Sequence, residues 1–323
     1  GFKEREKAEE LIAYLKEEPP LEAKVLSKEK KKETKNPPLL YNLAELQNDC
    51  SKMFKISPDE TLKVVQELYE KKLVTYPRTD ARVLSTAVAK EIYKNINGLM
   101  RYEPMAGFAK EAMNLGSFKG IAKTRYVNDK QITDHYAIIP TGQGMGNLRG
   151  LSPLSEKVYQ VVCRRFLSIF YPAAIYQKYS LVLERKKEQF FASFKVLSEP
   201  GYLKVADVNL AKKSSIQETF SDEKEGNSAQ TDEKNAEIPK VDRTLLLQVL
   251  ADLKKNDILT IADLKVKEGE TSPPKRYTSG SMILAMENAG QLIEDEELRA
   301  QIKGSGIGTS ATRAEILKKL VSI

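Results

Sequence analysis

The feature of this sequence that most restricts its fold is a change of hydrophobic period after residue 170. Residues 152–170 have apolar side chains at helical spacing, and the helix that they predict ends before a Tyr-Pro pair. Farther along, apolar residues stand at every second position, as in a strand: Phe190, Ala192, Phe194 and Val196. Residues 175–183 and 190–197 therefore predict a β-hairpin, and an all-helical fold is excluded.

Two helix starts follow one another in the first half of the chain. Asn42 with Glu45 three residues later forms a capping-box pattern and predicts a first helix. Ser57 with Glu60 repeats the pattern, and the second helix is predicted to end near Lys72. Its apolar face consists of four residues: Leu62, Val65, Leu68 and Tyr69. Such a helix pair is typical of helix-turn-helix and winged-helix domains, although many non-binding domains share it.

Weaker patterns predict the other elements. They are a charged helix in 1–18, a strand in 21–27, a solvated lysine-rich connector in 28–35, strands in 202–205 and 258–266, and helix again from Tyr277. The length of 323 residues suits two or three domains.

Charge is distributed unevenly along the chain. Residues 214–239 contain seven acidic residues and two lysines, a net charge of −5, whereas the whole chain has +7, which leaves +12 on the other residues. A body that basic attracts polyanions such as nucleic acid, although a merely solvated surface explains the charge equally well. The acidic segment is poor in large apolar residues, which predicts an exposed, disordered insertion.

Composition argues against membrane-spanning and disulfide-stabilised classes. No apolar run approaches the roughly 18 residues that a membrane helix needs, and the charged N-terminus is unlike a secretory signal. Cys50 and Cys163 provide neither a disulfide framework nor zinc spacing, which fits a reducing, cytoplasmic setting. The chain begins with Gly1 rather than methionine, so we expect it to be part of a longer protein.

The stretch LVTYPRTDARVLS, residues 73–85, places a tyrosine where it could act chemically. Pro77 keeps Tyr76 out of a helix, and in an extended segment Arg78 would project to the same side as Tyr76. A phenol is ionised in only about one molecule in a thousand at neutral pH, so attack on a phosphate needs a cation nearby. The arginine fork suits a phosphate. Tyr76 is thus a candidate nucleophile, with ordinary packing as the alternative.

Two further stretches contain side chains suited to phosphate. His135, the only histidine of the chain, lies in ITDHYAIIPTG and could donate to a phosphate oxygen or move a proton. The alternative is an ordinary satisfied polar group. Lys275, Arg276 and Tyr277 lie just before a predicted helix.

A glycine-rich stretch near the end, KGSGIGTSATRAEILKKL at residues 303–320, precedes another predicted helix. We expect that helix to open at Thr309 or Ser310, with Arg313 in its first turn. Exposed amides at such a start can bind phosphate, but the stretch is neither a P-loop nor a dinucleotide fingerprint.

In this order, the stretches resemble the motifs of type IA DNA topoisomerases, most closely the topoisomerase III branch. The matching segments are Thr75–Asp80 (TYPRTD), His135–Thr141 (HYAIIPT), Pro273–Met282 (PPKRYTSGSM) and Gly306–Ala314 (GIGTSATRA). PPLLYNLAELQ, at 37–47, is also similar to the family's lead-in to its tyrosine domain. The resemblance covers nearly the whole chain apart from the acidic insertion. Ser279 and Ser310 depart from the family's usual Glu and Pro.

The resemblance implies an enzyme that cuts one DNA strand, passes another strand and religates without ATP. Tyr76 would attack a single-stranded DNA phosphate and become joined to the 5′ end. Arg78 would hold the scissile phosphate, and His135 would contact a phosphate or move a proton. Four residues would be further DNA contacts: Lys275, Arg276, Tyr277 and Arg313.

The resemblance also implies an α+β multidomain fold. Residues 36–170 would form a helical, winged-helix-like domain that contains the tyrosine. That domain would lie on a β-rich arch formed by residues 1–35 and 171–275, which includes the acidic insertion at 214–239. Residues 276–323 would begin a helical base domain.

Family members use Mg²⁺, which an acidic cluster of an N-terminal Toprim domain binds opposite the tyrosine. This chain has no Asp-x-Asp pair, and acidic patches such as 294–297 suit a solvated helix or linker. We therefore expect no metal ligands in this chain, and a middle fragment that does not relax DNA alone. The implied partners are single-stranded DNA and a helicase or single-strand-binding protein, in the cytoplasm at the nucleoid, without a membrane.

Two other function classes remain open on the sequence. A non-catalytic single-stranded DNA-binding module would need only basic and aromatic side chains, and Tyr76 would never bond to DNA. A protein-interaction scaffold, suggested by the acidic insertion, would show no salt-dependent DNA affinity.

Overall fold

The computed structural model describes residues 2–206, 217–218, 243–293, 297–299 and 306–322. They belong to two units. Unit 1 comprises the described residues of Gly1–Lys35, Ala173–Gly201 and Val208–Pro273, and unit 2 comprises those of Asn36–Pro172, Tyr202–Asp207 and Pro274–Ile323. Most of the predicted acidic insertion, and residues 294–296 of the predicted acidic patch, lie outside the described residues.

The described elements are mostly helices, with strands in unit 1. The helices are α1 (Arg5–Lys16), α2 (Leu43–Phe54), α3 (Pro58–Glu70), α4 (Thr86–Leu99), α5 (Glu103–Leu115), α6 (Pro153–Ser168), α7 (Leu203–Ala206), α8 (Arg243–Asp252), α9 (Ser279–Glu287) and α10 (Arg313–Ser322). The strands are β1 (Glu22–Lys35), β2 (Ala174–Arg185), β3 (Glu188–Glu199), β4 (Gln217–Glu218) and β5 (Ile258–Thr260). The predicted combination of helices with a β-hairpin is confirmed.

Within the described residues, the strands of unit 1 form one antiparallel sheet in the order β4-β3-β2-β1-β5. The predicted hairpin is the β2–β3 pair, joined at Lys186 and Lys187, which both have positive φ as a tight hairpin turn requires. One face of the sheet is buried by α8 and the residue that follows it. The core of this face consists of Val25, Tyr179, Leu181, Leu250 and Leu253.

Three predicted elements differ from the structure. The lysine-rich stretch 28–35 is not a connector, because each of its residues pairs with β2. A strand can be this rich in lysine because its exposed positions leave the ammonium groups in water. The predicted strand at 202–205 is not formed: residues from Leu203 form the short helix α7, and Tyr202 just before it is buried like Val205 within it, three residues later. The strand predicted at 258–266 ends at Thr260, because its partner β1 begins at Glu22 opposite that residue.

The helices of unit 2 begin at the predicted caps. The Asn42 side chain accepts from the Glu45 amide and the Ser57 side chain from the Glu60 amide, at 2.9 and 3.1 Å. Helix α9 packs closely against α2, since a Cβ at Gly280 would lie 2.8 Å from the Asn48 Cα. Residues 276–323 were predicted to begin a separate base domain. Their described part belongs to unit 2, as does the described part of residues 36–170, and the base domain stays a prediction.

One buried arginine at the end of β2 links three segments of unit 1. The Arg185 guanidinium donates to the carbonyl oxygens of Leu15, Glu18, Pro20 and Glu22 at 2.5–3.1 Å. These carbonyls lie at the end of α1, in the following loop and at the start of β1. A single side chain therefore fixes the path from α1 into the sheet.

Arg185→Met should destabilise unit 1 by about 3 kcal/mol, because it leaves several carbonyl groups without a donor. Amide hydrogen exchange should accelerate in β1 and β2 and stay unchanged in α2 and α3. Arg185→Lys keeps the charge but loses the fork, so its stability should lie between those of the parent and Arg185→Met. Unchanged exchange in β1 would contradict this account.

Candidate active site

Tyr76 lies in an open cleft of about 510 Å³ in unit 2. The cleft is lined by the end of α3, the segment after it and the segment around His135: Tyr69, Glu70, Lys72, Val74, Thr75, Tyr76, His135, Tyr136, Thr141 and Gln143. The half-buried Tyr76 ring lies between two other rings. Its centroid is 4.3 Å from that of His135 and 5.5 Å from that of Tyr69, which meets it edge to face. The structure thus brings together the two predicted site residues Tyr76 and His135.

Thr75, just before the tyrosine, fastens its segment to the segment after His135. Its hydroxyl donates to the Ala137 carbonyl and accepts from the Ile139 amide, both at 3.0 Å. The Thr75 amide donates to the Ile139 carbonyl at 3.0 Å, and Val74 forms an isolated antiparallel β-bridge with Pro140. The two motifs therefore run side by side in a fixed register.

Thr79, three residues after the tyrosine, makes the second attachment. It is buried, and its hydroxyl donates to the His135 carbonyl at 2.7 Å and accepts from the Ala81 amide at 3.1 Å. The backbone of His135 is thereby fixed relative to Tyr76 from both sides. The hydroxyl of Tyr76 itself has no hydrogen-bond partner among the described residues.

Thr141 closes the rim of the cleft near Lys72. The Thr141 hydroxyl donates to the Lys72 carbonyl at 2.6 Å, and Lys72 has a positive φ of 60°. The next residue, Gly142, approaches α4 so closely that a Cβ at Gly98 would lie 2.1 Å from the Gly142 oxygen. Glycine at both positions is what allows this contact.

Arg78 does not line the cleft. The Thr79 amide donates to the Pro77 carbonyl at 3.0 Å, so the chain turns at Arg78 instead of continuing extended. Extended geometry therefore does not continue through Arg78, and its convergence with Tyr76 on one phosphate stays a prediction. Arg78 is exposed, and no hydrogen-bond or ion-pair partner for it lies among the described residues.

Arg313 is placed differently from its prediction as a DNA contact. It is 4% exposed, and its guanidinium donates to the Asp80 carboxylate at 2.8 Å and to the Ile307 and Gly308 carbonyls at 3.2 Å. Its fork is therefore used inside the protein, where it ties the glycine-rich motif to the tyrosine motif. Helix α10 also begins at Arg313 rather than at the predicted Thr309 or Ser310.

Glu287, at the end of α9, lies partly buried beside Arg313. Its carboxylate accepts from the side-chain amide of Asn42 at 2.6 Å, and the same side-chain amide donates to the backbone carbonyl of Asp80 at 3.1 Å. Burial raises the pKa of the Glu287 carboxyl, and the nearby Arg313 opposes part of that rise.

The other predicted DNA contacts lie outside the cleft lining. Lys275, Arg276 and Tyr277 are exposed in an irregular segment of unit 2, just before α9, which Thr278 caps. Tyr69 and Lys72 are among the cleft residues that the sequence motifs did not indicate. Tyr69 was assigned to the buried face of α3, but it lies at the last turn, where 39% of it remains exposed.

The cleft does not fit a Mg²⁺ site. Its carboxylate and imidazole come from Glu70 and His135, whereas Mg²⁺ prefers oxygen ligands in octahedral geometry. In the described part of the chain, no group of three or more His, Cys, Asp or Glu side chains is placed to hold a metal ion. Burial raises the pKa of Tyr136, which lines the cleft together with Tyr69 and Tyr76.

Comparison with known proteins identifies the family. The family model described as DNA topoisomerase matches residues 1–322. The chain belongs to this family. DNA topoisomerase 3 of Bacillus subtilis strain 168 is 35% identical over 289 residues, covering 88% of this chain and 35% of the relative. DNA topoisomerase 3 of Bacillus cereus strain ZK / E33L is 31% identical over 305 residues, covering 92% and 37%.

These relatives confirm the resemblance to type IA topoisomerases of the topoisomerase III kind. The chain spans about a third of the length of the curated relatives it matches. Full-length topoisomerase I from Thermotoga maritima has a similar fold, with a TM-score of 0.57 and 21% identity over 99% of this chain and 43% of that one. None of the helices in the described residues is long and apolar enough to cross a membrane.

Thr79→Val should destabilise unit 2 by about 2 kcal/mol, because the His135 carbonyl loses its donor and the Ala81 amide loses its acceptor. The Ala81 amide should exchange faster with solvent, which hydrogen-exchange mass spectrometry or NMR can measure. Thr79→Ser keeps the hydroxyl and should behave like the parent. Equal exchange in parent and Thr79→Val would show that the attachment does not form.

Glu287→Gln should change the pH dependence of stability in one direction. A carboxyl whose pKa is raised on folding stabilises the folded state below its usual value of 4.5. That stability is lost as pH rises through the raised pKa. The variant, which keeps an acceptor for Asn42, should therefore gain stability relative to the parent between pH 4 and neutrality. Urea unfolding at several pH values measures this difference, and a constant difference would contradict the buried-carboxylate account.

Proposed function

We propose that this chain is the tyrosine-bearing part of a type IA, topoisomerase III-like DNA topoisomerase, with Tyr76 as the nucleophile. One observation supports this more than any other. The Tyr76 ring lies beside His135 in an open cleft, and threonines on both sides of the tyrosine fasten it to the His135 segment. An ordinary packing tyrosine needs neither an open cleft nor such attachments.

The proposed reaction is a transesterification at phosphorus. The Tyr76 phenol oxygen attacks the scissile phosphorus of a single DNA strand, and the bond from phosphorus to the 3′ oxygen breaks. The phenolic proton is transferred, in net terms, to the departing 3′ oxygen, and His135 assists through a phosphate contact or by moving this proton. The new phosphotyrosyl bond conserves the ester, so religation is the reverse step and needs no ATP.

Cations near the cleft supply the charge that this reaction needs. Lys72 lines the cleft, and Arg78 is exposed two residues after the nucleophile, available to a phosphate that approaches the turn. Lys275, Arg276 and Tyr277 contact the DNA strand outside the cleft. Arg313 acts as a positioning residue that holds Asp80 and the tyrosine segment.

The chain spans about a third of the length of its curated relatives, so the proposal places other parts of the enzyme outside this chain. We propose that the Mg²⁺ ion is bound by a Toprim domain elsewhere in the longer protein. The sheet of unit 1 corresponds to the β-rich arch, and unit 2 corresponds to the winged-helix-like and base regions. Single-stranded DNA is the substrate, with a helicase or single-strand-binding protein as accessory partner, in the cytoplasm at the nucleoid.

Tyr76→Phe should abolish covalent attachment to DNA. The chain is incubated with Mg²⁺ and a labelled single-stranded oligonucleotide, with and without a separately produced Toprim-bearing half, and analysed on a denaturing gel. A 3′ label should appear on the protein, because the downstream fragment stays joined through its 5′ phosphate. A 5′ label should appear only on a shorter free strand with an extendable 3′ hydroxyl.

Tyr69→Phe is the matched control, since it removes a phenol from the same cleft and keeps the ring. It should retain the adduct. If the two halves assemble and bind DNA but no adduct forms, the non-catalytic binding module is the better account. An absence of any salt-dependent DNA affinity would favour the interaction scaffold.

A further inference from the structure

The sheet of unit 1 has a second face, opposite the one that packs against α8. In the strand register, Lys31 of β1 pairs with Lys178 of β2, which in turn pairs with Lys195 of β3. Directly paired residues of an antiparallel sheet project to the same side. These three lysines therefore form a row across three adjacent strands, about 5 Å from strand to strand. We name them the lysine row.

Like charges directly opposite each other destabilise a sheet. The two outer lysines are partly neutralised, because Lys31 pairs with Glu29 at 2.9 Å and Lys195 pairs with Glu33. The central Lys178 is exposed and faces a lysine on both sides. Among the described residues, it has no acidic partner. The row thus keeps an uncompensated positive charge at its centre.

Lysines on the opposite face of β1 have roles within the protein. The Lys28 ammonium donates to the Leu250 and Ala251 carbonyls at 3.0 Å, where it satisfies the end of α8. Lys30 lies over the Tyr179 ring, 5.6 Å from its centroid. Within the described residues, Lys178 makes no contact of this kind.

An exposed aromatic ring accompanies the lysine row. Phe191 lies on the same face of β3 as Lys195, four residues earlier, and 61% of it is exposed. Serines occupy the positions between them, namely Ser193 on β3 and Ser180 on β2. Regularly spaced cations beside an exposed aromatic ring, on a surface with small polar side chains, match how proteins hold single strands.

We propose that this face of unit 1 binds a DNA strand, with the lysine row on successive phosphates and Phe191 stacked on a base. The inference rests on the proposed function for its ligand, but it requires no chemistry at Tyr76. Spaced cations with a stacking ring favour a nucleic acid over an acidic peptide, which offers carboxylates but no bases.

Lys31→Gln/Lys178→Gln should weaken the salt dependence of DNA binding. Each phosphate neutralised on a single strand contributes about 0.7 to the slope of log affinity against log salt, so the slope should fall by about 1.4. Fluorescence anisotropy with a labelled single-stranded oligonucleotide, titrated at several salt concentrations, measures it. Phe191→Leu should instead lower the affinity about tenfold at an unchanged slope, because it removes stacking and no charge.

Lys30→Gln/Lys32→Gln is the matched control, since it removes two charges from the opposite face of the same strand. Its slope should stay near that of the parent, and Lys178→Arg should also preserve the slope. Equal slopes for the two double variants would overturn this inference, whatever happens at Tyr76. If the parent forms the Tyr76 adduct in that case, the proposed function stands. A parent with neither adduct nor salt-dependent binding would contradict both.

Discussion

The hydrogen bonds of two threonine hydroxyls determine where the candidate nucleophile lies. Tyr76 belongs to no helix or strand, so regular secondary structure cannot hold its ring in place. Thr75 and Thr79 instead donate to one backbone group and accept from another. Because these bonds use the flanking residues, the tyrosine hydroxyl itself is left unengaged. A nucleophile needs this combination of a fixed backbone and an uncommitted oxygen atom.

The buried Arg313 extends that support beyond the two adjoining segments. Its planar fork reaches a carboxylate and two carbonyls at once, which a lysine could not do. A cation withdrawn from water needs partners for all its donors, and Asp80 with the loop carbonyls provides them. The conspicuous charged residues of the Asp80 and Arg313 motifs are therefore spent on each other. The DNA contacts proposed for this chain are therefore assigned to other cations.

Local signals predicted the parts of this fold that depend on neighbouring residues. Helix caps at Asn42 and Ser57, and the hairpin of β2 and β3, need only short-range geometry, and all three are confirmed. The far half of β1 was missed because its residues are charged on both faces. Strand pairing there is set by β2, and no period-2 apolar pattern records it.

The candidate site was predictable in a different way. Nothing local connects Tyr76 with His135, 59 positions later, and only resemblance to a family brought them together. The structure supplies the physical reason through the threonine attachments. The turn at Arg78 and the burial of Arg313 were not predictable, because both depend on contacts that the spacing of the motifs does not indicate. The sequence identifies the motif residues, but tertiary packing determines which residues they contact.

Strand β1 has lysines on both faces, and their positive charges repel lysines of the neighbouring strand. Repulsion between paired lysines opposes sheet formation, so such a strand forms only where backbone pairing and partners compensate. On the inner face, carbonyl groups and an aromatic ring provide those partners. On the outer face, carboxylates compensate only the ends of the lysine row. A bound polyanion would relieve the remaining repulsion, and DNA binding and stability of unit 1 would then be coupled, each strengthening the other.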